Sequence, residues 1–372
     1  MSGGMCPGDE AELAELVRGA NAPLSIGGGG TRGLGLAGTP LATGGLAGIT
    51  LYDPGALTIV AKAGTPLADV AAALRAERQR LAFEPPDWRG LLGTTGEPTL
   101  GGMVATNASG PRRVQGGACR DVLLGVRFVD GAGTIVKNGG RVMKNVTGYD
   151  LVKLMAGSYG TLGVLTEASF KVLPIPEACA TVRLYGLDDQ RAVSAMARAM
   201  GSPFDVTGAA HFPGGATLLR LEGFAASVAY RAVQLRQVLA EFGNPEIDDR
   251  EATVTADWAA VRDVSRFAGL PGDVWRLSVK PSDAPGLVAR AGAEQVIYDW
   301  AGGQIWALLE PGSDLRARLG TFGGHATLVR AAPNTRARLG MFQPLPAALA
   351  TLSRGLRARF DPRGIFNPGL MD

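Results

Sequence analysis

The chain has 372 residues, 46% of them hydrophobic and 19% charged, with a formal net charge of +3. That length implies two domains, and the composition is that of a globular protein. A charge so near zero, with Lys and Arg scattered among acids and no basic stripe interleaved with aromatics, excludes a dedicated nucleic-acid binder. The three cysteines, Cys6, Cys119 and Cys179, form no C-x-x-C pair, which excludes a zinc knuckle or a cysteine-ligated iron–sulfur cluster and argues against a disulfide framework. Residues 1–16 carry acids and no apolar h-region, so no secretory signal is expected. No apolar run reaches the length of a membrane span. The expectation is a cytoplasmic protein whose membrane contact, if it has any, is made through partner subunits.

Residues 9–19 read as a short amphipathic helix with Leu13, Leu16 and Val17 on one face. Pro23 to Ile26 is a short strand candidate, followed by Gly27-Gly28-Gly29-Gly30-Thr31. Ile49–Leu51 and Leu57–Val60 read as strands around an Asp53-Pro54-Gly55 turn. Thr65 and Pro66 then suit the N-cap and first position of a helix bearing Leu67, Val70, Ala71, Leu74 and Leu81 at helical spacing. Residues 93–110 are Gly/Thr-rich. Val122–Val129 and Thr134–Val136 flank Asp130-Gly131 as a hairpin. Residues 160–172 form a strand region that ends at Pro174 and Pro176, the expected domain boundary. Beyond it, strands (181–184, 217–221, 275–279, 304–309) alternate with helices (189–200, 225–241), the texture of an α+β cap. The turn-rich tail 360–369 reads as a docked extended segment.

Gly28-x-Gly30-x-x-Gly33 matches the dinucleotide fingerprint G-x-G-x-x-G, with Asp53 twenty positions further on. In a Rossmann domain that loop runs straight into a helix. Here residues 34–48 contain five more glycines and Pro40, and each interior Gly costs a helix about 0.5–1 kcal/mol relative to Ala. A nest of successive backbone N–H groups can bind a pyrophosphate without a helix. The alternative is a flexible hairpin loop, which this loop taken alone leaves open.

The stretches Pro23–Thr31, Pro98–Gly110, Gly157–Thr166 and Asp361–Gly369, taken in order, resemble the vanillyl-alcohol-oxidase-type (PCMH-type) FAD-binding superfamily. The likeness covers most of residues 20–175 and the tail. It implies an α+β fold: a two-subdomain PCMH-type FAD-binding domain at 1–175, an α+β cap domain at 176–355, and a C-terminal segment at 356–372 returning to the FAD domain. It implies that Gly27, Gly28, Gly29, Gly30 and Thr31 cradle the FAD pyrophosphate. Pro98, Thr99, Gly101, Gly102, Thr106, Asn107 and Gly110 would line the flavin and pyrophosphate side. Gly160, Thr161, Gly163 and Val164 would meet the adenine side through main chain, with Asn367 reaching back to the site. The first loop lacks the flavin-linking His of covalent members, so the FAD is expected to be non-covalent.

Met143–Leu151, Trp275–Ser278 and Gly323–Leu328 are similar to the FAD-binding E subunits of bacterial glycolate oxidase (glycolate dehydrogenase) complexes. That resemblance implies FAD-dependent oxidoreductase chemistry on CH-OH donors, supporting oxidation of glycolate or D-lactate. The implied partners are a D-type FAD catalytic subunit and an iron–sulfur subunit. Oxidising a 2-hydroxy acid needs a base for the hydroxyl proton and a cation for the carboxylate. The chain has two histidines, His211 and His325, in no H-x-H or H-x-x-H spacing, so no metal is expected. Arg276, His325 and Arg330 are the catalytic candidates in the cap, and Lys144 and Tyr149 could touch ring or partner. A stand-alone FAD-dependent 2-hydroxyacid dehydrogenase and a non-catalytic flavin-binding scaffold remain alternative readings.

Overall fold

The computed structural model of the chain describes residues 4–141 and 148–371. The chain forms two compact units. One comprises Met1–Ser109, Gly117–Ile175 and Leu345–Asp372; the other comprises Gly110–Gly116 and Pro176–Pro344. The return to the first unit begins at Leu345, ahead of the expected 356. Helix Ala347–Phe360 belongs with it, because the Phe360 ring packs 6.0 Å from Phe128 and the Phe360 carbonyl accepts from Gly131 N–H.

The first unit holds two sheets. A small one pairs β1 (Leu24–Gly27) in parallel with β2 (Thr39–Ala42). The other uses β3 (Ile49–Asp53), β4 (Thr58–Lys62), β5 (Gln79–Leu81), β6 (Leu123–Val129), β7 (Ile135–Gly139) and β8 (Val164–Pro174). Its order is β3-β4-β8-β6-β7, with β5 added to the far end of β8. The expected hairpin across Asp130-Gly131 is β6–β7, in register from Val129↔Ile135 to Gly125↔Gly139. β4, β6 and β8 are apolar, β-branched and buried along most of their length, as central strands covered on both faces must be. Helix Glu10–Gly19 is capped by Asp9, which accepts from Glu12 N–H, and it buries Leu13, Ala14 and Val17. These pack with Leu24, Leu41, Val129, Val164 and Phe366 into a core under the small sheet. Thr65 is not the cap of helix Leu67–Ala76; Pro66 holds that place. The Thr65 hydroxyl donates to the Lys62 carbonyl at 2.7 Å and accepts from Gly48 N–H at 3.0 Å.

The second unit is built on one eight-stranded antiparallel sheet, order β12-β9-β11-β10-β14-β15-β13-β16. Its strands are β9 (Ala178–Tyr185), β10 (Val206–His211), β11 (Ala216–Gly223), β12 (Glu246–Asp248), β13 (Asp273–Val279), β14 (Gln295–Asp299), β15 (Gln304–Leu309) and β16 (Gly324–Arg330). The expected helices appear at Asp189–Met200 and Ala225–Val238. Glu222 and Arg220 of β11 are 4% and 2% exposed at the side chain. Glu222 takes a bidentate pair from Arg112 at 2.7 and 2.8 Å. Arg220 stacks 4.4 Å from the Trp258 ring and donates to Thr207. The Trp258 indole N–H in turn reaches Thr181 Oγ1 at 2.9 Å. The charges are tolerated in the interior because each is met by an opposite charge, a ring face or a hydrogen bond.

Candidate functional site

β1 ends at Gly27, and no helix follows. Residues 28–38 turn and re-enter directly as β2, parallel to β1. A Rossmann loop would place its helix there, so the fingerprint match is not one. A Cβ on Gly29 would lie 1.7 Å from the Glu97 carbonyl oxygen, and one on Gly28 would lie 2.3 Å from Thr99 Oγ1. Only glycine lets these two backbones approach so closely. Thr94 Oγ1 adds a 2.9 Å hydrogen bond to the Thr31 carbonyl. Gly27 and Gly30 differ: a Cβ at either meets no atom within 4 Å. Among the described residues, the amides of Gly28, Gly29, Gly30 and Thr31 donate to no protein acceptor. A run of unengaged main-chain N–H groups beside open space is the donor set a pyrophosphate requires.

The stretch after Pro98 forms a helix, Leu100–Thr106, where a Gly/Thr-rich lining was expected. Thr99 is its N-cap, accepting from Gly102 N–H at 3.2 Å, and Asn107 is its left-handed C-cap with φ 46°. The side chains expected to meet flavin are therefore engaged locally. Thr106 Oγ1 bonds the Gly102 carbonyl, and Asn107 Oδ1 accepts from Arg120 N–H. Gly101 serves packing, since a Cβ there would lie 2.7 Å from Ala63. The Pro98 carbonyl accepts from Leu67 N–H at 2.8 Å.

The third stretch locks onto this helix. Gly157 N–H donates to the Val104 carbonyl at 3.0 Å and Tyr159 N–H to the Ala105 carbonyl at 2.8 Å. The tail closes the set. Leu24 N–H donates to the Ile365 carbonyl, and Asn367 N–H donates to the Leu24 carbonyl. Asn367, 1% exposed, accepts from Ile26 N–H at 2.7 Å and donates to the Tyr159 carbonyl at 2.8 Å. Its amide is a clip between β1 and the 159–160 turn. Asn367→Ala would leave two main-chain groups unpaired, an expected loss of about 2–4 kcal/mol. Chemical denaturation would show it, with weaker FAD retention alongside. Gly160 has φ +73° and stands beside Asn367, while Thr161 Oγ1 bonds the Ser158 carbonyl. Gly163 and Val164 belong to the core: a Cβ on Gly163 would lie 2.7 Å from Phe128, and Val164 is fully buried opposite Val129. Val164 opens β8, which runs through the middle of the sheet. The first unit thus brings the glycine loop, residues 94–107, residues 157–161 and the tail together.

Gly110 falls in the second unit, where its carbonyl accepts from the Trp300 indole N–H at 3.1 Å. Arg113 lies over the same ring at 4.4 Å. In β13 and β16, Arg276 pairs with Thr327 and Ser278 with His325, so Arg276 and the exposed His325 are diagonal neighbours on one face. Arg330 is not with them. It ends β16, with its guanidinium on the carbonyls of Phe267, Leu270 and Gly272, which makes it a clamp on the preceding loop. Trp300 and Arg113 escaped the sequence reading. Trp300 has a left-handed backbone (φ 51°) that no local pattern signals.

Partial desolvation, then the charges of Arg276 and Arg113, hold the His325 pKa below its ordinary 6.5. The stability from this neutral ring is present above the unfolded value and is lost as pH falls through the folded one. Arg276→Met should move the imidazole titration, followed by NMR, back up toward 6.5. An unchanged midpoint would remove Arg276 from the site. His211, fully buried, bonds Thr217 Oγ1 at 2.9 Å, with Asp189 Oδ1 3.5 Å from its other nitrogen. Burial pushes the Cys119 thiol pKa up, and the side chain is inaccessible. Tyr149 is 89% exposed, whereas Lys144 and most of the Met143–Leu151 motif lie outside the described residues. Among the described residues no group of three or more His, Cys, Asp or Glu could hold a metal ion, and no helix is long and apolar enough to cross a membrane.

Residues 2–139 match the model of the FAD-binding domain family. The chain is 40% identical over 326 residues to glycolate oxidase subunit GlcE of Escherichia coli (strain K12), covering 87% of this chain and 84% of that one. It is 42% identical to the D-lactate dehydrogenase of Anaerostipes hadrus over 129 residues, 34% of this chain and 25% of that one. Among solved structures, alkyldihydroxyacetonephosphate synthase superposes with a TM-score of 0.69 over 98% of this chain and 76% of its own, at 16% identity, a likeness of fold. The fold and these matches define a FAD-binding oxidoreductase of the PCMH type. Within that class, the chain belongs to the family of glycolate oxidase subunit GlcE.

Proposed function

We propose that this chain is the FAD-holding subunit of a glycolate oxidase complex, working beside a D-type flavoprotein and an iron–sulfur subunit. The observation that carries the proposal is the run of unengaged amides at Gly28–Thr31, supported by three distant segments, in a homologue of GlcE. FAD, when bound, supplies the acceptor for the hydride leaving C2 of glycolate or D-lactate, the hydroxyl proton going to a base and the product being the 2-oxo acid. The Gly27–Thr31 backbone binds the pyrophosphate, and the 94–107 and 157–161 segments fix the shape of that loop from behind. With no His in residues 1–210 and Cys119 buried, the flavin is held without a covalent link.

A second reading is favoured by one observation: Arg276 and His325 share a face of the sheet on adjacent strands. Arg276 can form a bidentate pair with a carboxylate, and a neutral His325 can accept the hydroxyl proton. A chain so equipped would be a 2-hydroxyacid dehydrogenase in its own right. Purification of the chain alone and with its two partners, with flavin and iron assayed per subunit and glycolate turnover measured, separates the readings. The subunit reading expects a yellow chain that releases FAD on acid precipitation and turns over only in the complex. Flavin reduction by glycolate in the isolated chain would establish the second reading. A colourless chain whose melting temperature ignores FAD would leave only a scaffold.

A further inference from the structure

Helix Ala347–Phe360 buries none of its residues fully. Leu349, Leu352 and Leu356 along it are 52%, 65% and 46% exposed. Their 3-4 spacing puts them on one helix face, a narrow apolar stripe suited to one partner helix. Three leucines so exposed on one face are unusual for a surface with no partner. The helix carries Arg354, Arg357 and Arg359 and no acid, and it closes a run from Leu315 to Phe360 with eight arginines and no Asp or Glu. Arg357 faces inward, bonding the carbonyls of Phe366 and Leu370. Arg354 and Arg359 are exposed, and among the described residues neither makes an ion pair. A second copy of this helix would set arginine against arginine, so charge disfavours self-pairing. A membrane surface would want a broader apolar face than one seam of leucines.

We infer that this seam docks an amphipathic helix of another subunit, one whose apolar stripe is flanked by Asp or Glu. The inference rests on the subunit reading above and assigns its contact surface. Leucines fill the seam, and Arg354 and Arg359 select an acidic partner and set the register.

The test co-expresses the full chain with the D-type flavoprotein and the iron–sulfur subunit and follows assembly by size-exclusion chromatography with light scattering. The wild-type chain should co-elute with a partner. Leu349→Glu combined with Leu352→Glu should abolish co-elution while the chain keeps its FAD, which shows that it still folds. Arg354→Glu combined with Arg359→Glu should weaken assembly about tenfold or more, less so at high salt. Assembly of the leucine variant at wild-type strength would overturn the inference and leave the subunit reading intact. So would a wild-type chain that dimerises, or that pellets with phosphatidylglycerol vesicles, through these leucines. A wild-type chain that ignores both partners and oxidises glycolate alone would overturn the subunit reading and the inference together.

Discussion

Gly29→Val should yield a chain that no longer retains FAD and whose first unit is destabilised by about 3 kcal/mol or more. The Cβ would fall 1.7 Å from a backbone carbonyl, that of Glu97, which cannot swing aside as a side chain could. Either the glycine loop or the 96–99 segment must move, and both shape the proposed phosphate cradle. Gly27→Ala is the matched contrast. Its Cβ meets nothing within 4 Å and its backbone is not left-handed, so the apo chain should melt as wild type does. If the space beside Gly27 is where FAD lies, that single methyl should still weaken FAD binding. Thermal melts with and without FAD read both outcomes. Equal stability of Gly29→Val and wild type would mean that the loop and the 97–99 segment are not packed as described.

Glu222→Ala should be the most damaging single change in the second unit. Glu222 pairs with both Arg112 and Arg220, and its loss would take a carboxylate away from two largely buried guanidinium groups. Breaking a buried pair in this way costs about 3–5 kcal/mol, which lowers the melting temperature of a unit this size by on the order of 10 °C. Tryptophan fluorescence reports the transition, since Trp258 stacks on Arg220. The first unit should keep its flavin. A shift below about 2 °C would show that water, not protein, solvates these guanidinium groups.

Much of the fold was legible because period and punctuation agree. The helix at 189–200 announces itself with Asp188 as N-cap, and the β6–β7 hairpin with Asp130-Gly131 between β-branched runs. What escaped were elements whose local signal is weak. Helix Leu100–Thr106 hides behind Gly101 and Gly102, which its packing on Ala63 and its cap need, although Thr99 and Asn107 are legible caps in retrospect. β14 and β16 escaped because a strand in a long antiparallel sheet owes its place to its neighbours more than to its own pattern. At the candidate site, the order of four glycine-bearing segments was readable, but the division of labour within them was not. Gly27 and Gly30 face open space, while Gly28, Gly29, Gly101 and Gly163 are glycine because backbone or core approaches them. Only tertiary contact distinguishes the two. Asn367 shows the same limit: its position near the loop was expected, but its engagement by Ile26 and Tyr159 depends on partners 341 and 208 residues away.

Hydrogen exchange of the purified chain with and without FAD tests the central claim most directly. The amides of Gly28 to Thr31, unengaged by protein, should exchange rapidly in the apo chain and become strongly protected when FAD is added, more than any other peptide of the first unit. FAD binding that leaves this peptide exchanging as before, with protection appearing elsewhere, would contradict the assignment of the glycine loop as the cradle.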